Sequence, residues 1–478
     1  MTSAPRNVLL LHCHDLGRFL GTYGVPTVAT PHLDALAAEA TLFESAFASA
    51  PHCSPARASL FTGTYPQTNG VLGLTHEPFA WDLNDPSGHL AHRLKSAGYH
   101  TELIGVHHES RVLPDEQVAA RLGFDRVRSG GDRDTVVERA TGALESAARR
   151  TEPFYLQVGF HEPHRSPSTR DPHGVMGFLS EGVRADDSLG HTVPAYLRDD
   201  AGAREEIAEL QGAVRHMDEG VGRVLDRLDA LGLREETVVV FTTDHGLALP
   251  RAKCTLYDAG LGVALMMRVP GREAWTGRRI TPMVSHVDVL PTLLALLGRP
   301  LPPEIAGTSL VPVVEGEGAA RTHCFGQLTY HTYYDPKRSV RSATHKLIVN
   351  FANAPRVMDS TQSWTHRSTP VDMRGPTIES SAPFELYDLL GDPHEGRNLA
   401  ADPAYAEVVA ELADALLGWM DETGDPLLEP QPLAPRHRLA LDALRGAAAA
   451  TPPPFVPSAS PAPAGPCPPP TPRERETA

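Results

Sequence analysis

The sequence predicts an α/β protein: a sheet flanked by helices, then a smaller C-terminal α+β domain and a disordered tail rich in proline and alanine. Three observations carry that expectation. Over roughly the first 300 residues, short apolar runs alternate with helical stretches, the pattern of a sheet with packed helices and not of an all-β sandwich. Between Glu205 and Leu231, apolar residues recur at Ile207, Leu210, Val214, Met217, Val221, Val224, Leu225 and Leu228, in the three- and four-residue steps of a helix. From about Gly446 the composition falls to Ala, Pro and Ser, which cannot bury a core.

The elements follow in order. Val8–Leu11 is a continuous apolar run and reads as a buried strand. Thr30 and Pro31 open a helix, with Thr30 as N-cap, Pro31 in the first turn, and Leu33, Leu36 and Ala37 on one face. Phe154–Phe160 is a second strand. The helix after Glu205 persists through Gly212, Gly220 and Gly222, and Thr237–Phe241 (T-V-V-V-F) follows as a central, β-branched strand. A boundary falls in the small, polar stretch Gly316–Ala320, giving a larger domain at 1–318, a smaller domain at 319–445 and the tail at 446–478. Within the smaller domain, Ser339–Val349 holds a strand around K-L-I-V, and Ala404–Met420 is an amphipathic helix.

Composition narrows the function. The chain has 478 residues, long enough for one large α/β domain and a smaller one. With 59 acidic and 43 basic residues and a formal charge of -16, it is no broad binder of nucleic-acid backbones, although a local pocket can still hold an anion. The five cysteines (Cys13, Cys53, Cys254, Cys324 and Cys467) contain no C-x-x-C pair, so neither a disulfide framework nor a thiolate zinc site is expected. The Val8–Leu11 run is too short for a signal peptide, and no segment reaches the ~20 apolar residues of a membrane span. The expectation is a cytoplasmic protein with no membrane partner.

Two apolar strands end in polar clusters: V-L-L-L-H-C-H-D reaches His14 and Asp15, and V-V-V-F-T-T-D-H-G reaches Asp244 and His245. Ligands of open α/β sheets bind beyond the carboxyl ends of strands, so the two clusters can meet there. Carboxylates and imidazoles together suit a divalent cation, whereas apart they simply begin loops or cap helices. Between them in sequence lies H-C-S-P-A-R-A-S-L-F-T-G, His52–Gly63. Pro55 can occupy the first turn of a helix, which places Cys53 at its positive N-terminus, and Arg57 adds a permanent charge one turn along. A lone cysteine is otherwise a small buried hydrophobe.

Cys53, Pro55, Arg57, Thr62 and Gly63 match the pattern C-x-P-x-R-x-x-x-x-T-G in full. On those residues the chain resembles the formylglycine-dependent type I sulfatases of the alkaline phosphatase superfamily. Ala29–Ala37, Gln67–Leu74, Phe160–Arg165 (F-H-E-P-H-R), Arg215–Gly222, Phe241–Gly246 and Glu385–Ala400 support it in the family's order. The similarity runs from Asn7 to about Leu428 and is strongest to the heparan N-sulfatase (sulfamidase) branch and its bacterial relatives.

The resemblance implies an alkaline-phosphatase-like large mixed sheet flanked by helices. It implies a hydrolase of sulfate esters or sulfamates acting on a sulfated sugar or similar small molecule. It implies that a formylglycine-generating enzyme oxidises Cys53, whose hydrated aldehyde offers one hydroxyl to attack sulfur and another to expel sulfate. Asp15, Asp244 and His245 fall on metal ligands, with converted Cys53 adding an oxygen and calcium the usual ion. Arg57 falls on the residue that holds the hydrate, His108 on a histidine contacting it, His161 beside the leaving group, and Lys253 on the cation that grips sulfate. A homodimer is compatible with the same family.

Two positions depart from the family. His14 stands where a second aspartate is usual; imidazole suits zinc or manganese better than calcium, so His14 either shifts the metal or steps back from it. Val106 stands where G-K-x-H supplies a sulfate-binding lysine; losing that charge weakens transition-state stabilisation unless His107 substitutes for it. A phosphonate monoester or phosphodiester hydrolase of the same superfamily is the alternative activity, and a catalytically silent binder of sulfated ligands the alternative class. His76, His164, His331, Arg338, Arg341 and the aromatic and cationic run Thr329–Arg338 either line a substrate pocket or are ordinary polar surface.

Overall fold

Asn7–Cys13 (β1) is buried along its whole length, which a strand achieves only when both faces of its sheet are covered. The computed structural model describes residues 6–170, 174–356, 358, 363, 367–373 and 380–428; the expected tail at 446–478 lies outside them. Seven further strands join β1: Thr41–Phe43 (β2), His100–Gly105 (β3), Arg126–Ser129 (β4), Phe154–Gly159 (β5), Thr237–Thr243 (β6), Leu265–Arg268 (β7) and Arg278–Ile280 (β8). Their order is β8-β2-β7-β6-β1-β5-β3-β4. β1 runs parallel to both β5 and β6, while β7 is antiparallel to β2 and β6, so the sheet is mixed.

Side chains alternate across β1. Leu9, Leu11 and Cys13 face a core shared with Pro31–Glu39 (α1), Arg133–Ala147 (α3) and Ala201–Ala230 (α4). Leu10, His12 and His14 therefore point to the opposite face. That side carries Cys53–Thr62 (α2), whose Phe61 ring lies 5.7 Å from the ring of His12. Helix α4 begins four residues before Glu205, because Asp200 caps it by accepting from the Ala203 N–H at 3.0 Å.

The expected cap of α1 is corrected. Thr30 occupies the N-cap position, yet its side chain makes no capping hydrogen bond. Asp218, from the middle of α4, accepts instead from the N–H groups of His32 (3.1 Å) and Leu33 (2.8 Å). A carboxylate can serve a helix N-terminus from another element as well as from the same chain turn. Asp218→Ala strands those two donors and is expected to cost about 1–3 kcal/mol, read as a lowered urea midpoint with an unchanged m-value.

A second, antiparallel sheet follows in sequence order: Cys324–Tyr330 (β9), Tyr334–Arg341 (β10), His345–Asn350 (β11) and Phe384–Asp388 (β12). Ala406–Glu422 (α6, after Val289–Leu296, α5) buries Leu412, Leu416, Trp419 and Met420 against Val340, Leu347 and Leu386 of that sheet. Trp419 also stacks on Phe325 with ring centroids 5.0 Å apart. Among the described residues, no helix is long and apolar enough to cross a membrane.

Candidate active site

β1 and β6 end side by side, with Cys13 opposite Thr243, so the next residues of both strands converge. The Asp15 N–H donates to Asp244 Oδ1 at 2.9 Å. Asp15 has φ 51, a left-handed backbone that aspartate tolerates better than most residues and that turns its carboxylate back across the strand ends. Helix α2 delivers Cys53 to the same point as its first residue, with Pro55 in the first turn as the sequence predicts. Its end is set by the T-G pair: Thr62 Oγ1 donates to Ala58 O at 2.6 Å, and Gly63, at φ 69, leaves the helix.

The resulting cluster is almost wholly buried. Cys53 Sγ lies 3.4 Å from His245 Nε2 and 4.0 Å from Asp15 Oδ1. Lys253 Nζ donates to both Asp15 oxygens, at 2.9 and 2.8 Å, and His245 Nε2 is 3.0 Å from Asp15 Oδ1. Arg57 donates from Nε (3.2 Å) and Nη2 (3.0 Å) to Asp244 Oδ2. His14 Nδ1 is 3.2 Å from that same oxygen. The rings of His108 and His161 flank His14, with centroids 5.3 and 5.8 Å away.

Electrostatics follow from that geometry. Burial alone would raise both carboxyls; Lys253, His164 and His245 instead hold Asp15 well below the usual range, and His245, Arg57 and His14 do the same for Asp244. Burial opposes a charge on His245, but Asp244 and Asp15 push it up to about 10. Burial, reinforced by Arg57, keeps His14 and His108 neutral. The negative potential that protonates His245 is also what attracts a cation, and Asp15, Cys53, Asp244 and His245 each offer a ligand atom within 4.8 Å of one another. Nε2 of fully buried His14 has no hydrogen-bond partner, while Nδ1 meets Asp244, so the residues fit a divalent ion.

All of the positions expected from sequence lie in or beside this cluster: His14, Asp15, Cys53, Arg57, His108, His161, Asp244, His245 and Lys253. The donors of Arg57 go to Asp244, to Cys13 O (3.3 Å) and to His12 Nδ1 (2.5 Å). Burial lowers the proton affinity of His107, against the opposing pull of Glu109 and Asp115. Val106 is half-buried and uncharged.

Sequence reasoning missed the layer behind Arg57. His12 accepts from Arg57, and burial together with that guanidinium lowers it to about 3. Its ring fits because Gly159 has no side chain: a Cβ there would lie 2.5 Å from His12 Cε1. Glu109, fully buried, accepts from the His108 N–H (2.8 Å) and from Gln157 Nε2 (3.0 Å), fixing the backbone that carries His108. The period-two alternation of β1 is the signal that puts His12 on the same face as His14.

The residues left open between pocket and surface divide. His164 stands at the cluster, 3.7 Å from Asp15 Oδ2, and His76 lies beside His108 with ring centroids 6.2 Å apart. His331 packs on His52 at 5.6 Å. Arg338 and Arg341 are structural: buried Arg338 pairs with Asp425 and donates to Leu328 O (2.9 Å), while Arg341 binds Asp258 at 3.1 Å. The F-H-E-P-H-R segment is anchored by Arg165, which donates to Ala248 O (2.8 Å) and Met176 O (2.9 Å), pairs with buried Glu206, and lies over Phe178.

Comparison with known proteins names the class that this fold and cluster define. The Sulfatase family model matches residues 6–299, and the model described as N-sulphoglucosamine sulphohydrolase, C-terminal, matches residues 248–374. The chain belongs to the sulfatase family and is a hydrolase of sulfate esters or sulfamates. It is 32% identical to N-sulphoglucosamine sulphohydrolase of Homo sapiens, over 88% of this chain and 91% of that protein. An ulvan-active sulfatase of Formosa agariphila is 29% identical over 88% of this chain and 82% of its own length. Among solved structures, a 2-O GAG sulfatase shares the fold, with a TM-score of 0.66 and 21% identity over 91% of this chain and 96% of that one.

Proposed function

We propose that this sulfatase removes sulfate from an N-sulfoglucosamine-like sugar, with Cys53, converted to formylglycine, as the nucleophile. The observation that carries the reading is the placement of Cys53: a helix N-terminus inside a buried ring of Asp15, Asp244, His245, Arg57 and Lys253. A structural cysteine has no use for that surrounding, whereas an attacking oxygen needs it. Cys53 Sγ stands in for the oxygen of the hydrated aldehyde. The choice of sugar is supported by the 32% identity to the human sulphohydrolase and by the match to its C-terminal family model.

One hydroxyl of the hydrate attacks sulfur, and the S–N or S–O bond to the sugar breaks. His161, beside the cluster, hands a proton to the departing atom; burial lowers its proton affinity, and an arriving sulfate, opposite in sign, raises it again. The second hydroxyl then passes its proton to the now neutral His161, the C–O bond to sulfate breaks, and the aldehyde returns for rehydration. Lys253, held at the site by Asp15, and Arg57, braced by His12, supply positive charge where negative charge gathers. His14, Asp15, Asp244, His245 and the converted Cys53 would hold a divalent cation. When bound, that ion supplies Lewis-acid polarisation of the sulfate.

Parallel assays on glucosamine N-sulfate, an aryl sulfate and a phosphonate monoester test the reading. The expected result is sulfate release, fastest from glucosamine N-sulfate. Turnover of the phosphonate alone would sink it.

A further inference from the structure

The choice of ion is written in the imidazoles around Asp15. His245 Nδ1 lies 2.9 Å from Gly246 O, and His164 Nδ1 lies 2.7 Å from Arg165 O. A ring nitrogen facing a carbonyl is the N–H donor, so both rings are locked with Nε2 turned inward. Those Nε2 atoms flank the two oxygens of Asp15: His245 at 3.0 Å from Oδ1, His164 at 3.7 Å from Oδ2. His14, fully buried, adds a third imidazole: Nδ1 meets Asp244 at 3.2 Å and Nε2 has no hydrogen-bond partner. His14, Asp15, Cys53 and His164 each present a ligand atom within 4.8 Å of one another, a set that overlaps the one containing Asp244 and His245.

Oxygen ligands are short by comparison. Lys253 occupies both oxygens of Asp15, and Arg57 with His14 crowds Asp244 Oδ2. Calcium requires about six to eight oxygens, whereas zinc and manganese accept imidazole in smaller sets. The ring of His164 is also rigidly placed, since the next residue is buried Arg165, anchored through Nε and Nη1 to the Ala248 and Met176 carbonyls.

We propose that His164 is a ligand of the cation centre together with His14 and His245, and that this centre selects a d-block divalent ion of the zinc or manganese class over calcium. This rests on the cluster being a cation site, as in the proposed function, and reaches beyond it in ligand and ion. The test uses the full chain stripped of metal. Cobalt(II) is titrated by visible absorption, and zinc, manganese and calcium by calorimetry. Expected are ligand-field bands from a nitrogen-containing site, and zinc or manganese binding at least about tenfold tighter than calcium.

His164→Ala is expected to shift the bands and weaken cobalt about 10–100-fold. His164→Gln is the second variant should alanine disturb folding, with the melting curve as control. Calcium binding equal to or tighter than zinc and manganese overturns the proposal, as does a cobalt spectrum indifferent to both variants. Turnover is not the readout. A calcium-selective protein that releases sulfate would overturn this inference and leave the sulfatase reading standing.

Discussion

Cys53→Ala is expected to abolish sulfate release while leaving the fold intact. Cys53 is 3% exposed, and deleting its sulfur removes one small buried atom, a loss of roughly 1 kcal/mol. The catalytic loss is far larger, at least about 10³-fold in kcat, because the variant retains binding and charge but has no atom to form the bond to sulfur. Cys53→Ser separates the two halves of the cycle. Its single hydroxyl can attack but cannot expel sulfate, so the expected record is at most one equivalent of sugar released, then silence. Steady turnover by either variant, in protein with an unshifted melting curve, contradicts the nucleophile assignment.

The largest structural effect is expected at Arg165. Its guanidinium is buried, paired with equally buried Glu206, and bonded to the Ala248 and Met176 carbonyls. Arg165→Ala leaves Glu206 as an uncompensated buried charge and should cost about 3–5 kcal/mol. Replacing both partners, Arg165→Met with Glu206→Leu, should recover much of that loss, since apolar side chains of similar volume do not need each other's charge. Burial alone would raise Glu206; Arg165 and Ser368 hold it below its ordinary value. Its depressed value means that the wild-type stability from this pair is present above about pH 4.3 and fades as acid protonates Glu206. Chemical denaturation of the three proteins at two pH values checks both statements. A small loss for Arg165→Ala, or no rescue in the double variant, contradicts this role for the pair.

Long, strongly patterned segments were legible without the structure. Val8–Leu11, Phe154–Phe160 and Thr237–Phe241 lie on central strands, where burial on both faces writes a continuous apolar run. The short strands Thr41–Phe43, Arg126–Ser129 and Arg278–Ile280 left no such mark, because pairing with a longer neighbour rather than side-chain pattern defines them. At the site, the C-x-P-x-R run and the two strand ends announced the cluster. His12, Glu109 and Gln157 did not, since each is an isolated polar residue whose partner is distant in sequence. Thr30 shows the opposite error: a good local cap that loses to Asp218, far along the chain, through tertiary packing.

The most direct test of the central claim is peptide mass spectrometry across Cys53, on protein made together with a formylglycine-generating enzyme and beside a control sulfatase. The expected peptide carries the aldehyde or its hydrate in place of the thiol, with sulfate release rising in step with the converted fraction. An intact thiol at Cys53 in cells that convert the control, with sulfate release undiminished, would contradict formylglycine as the nucleophile.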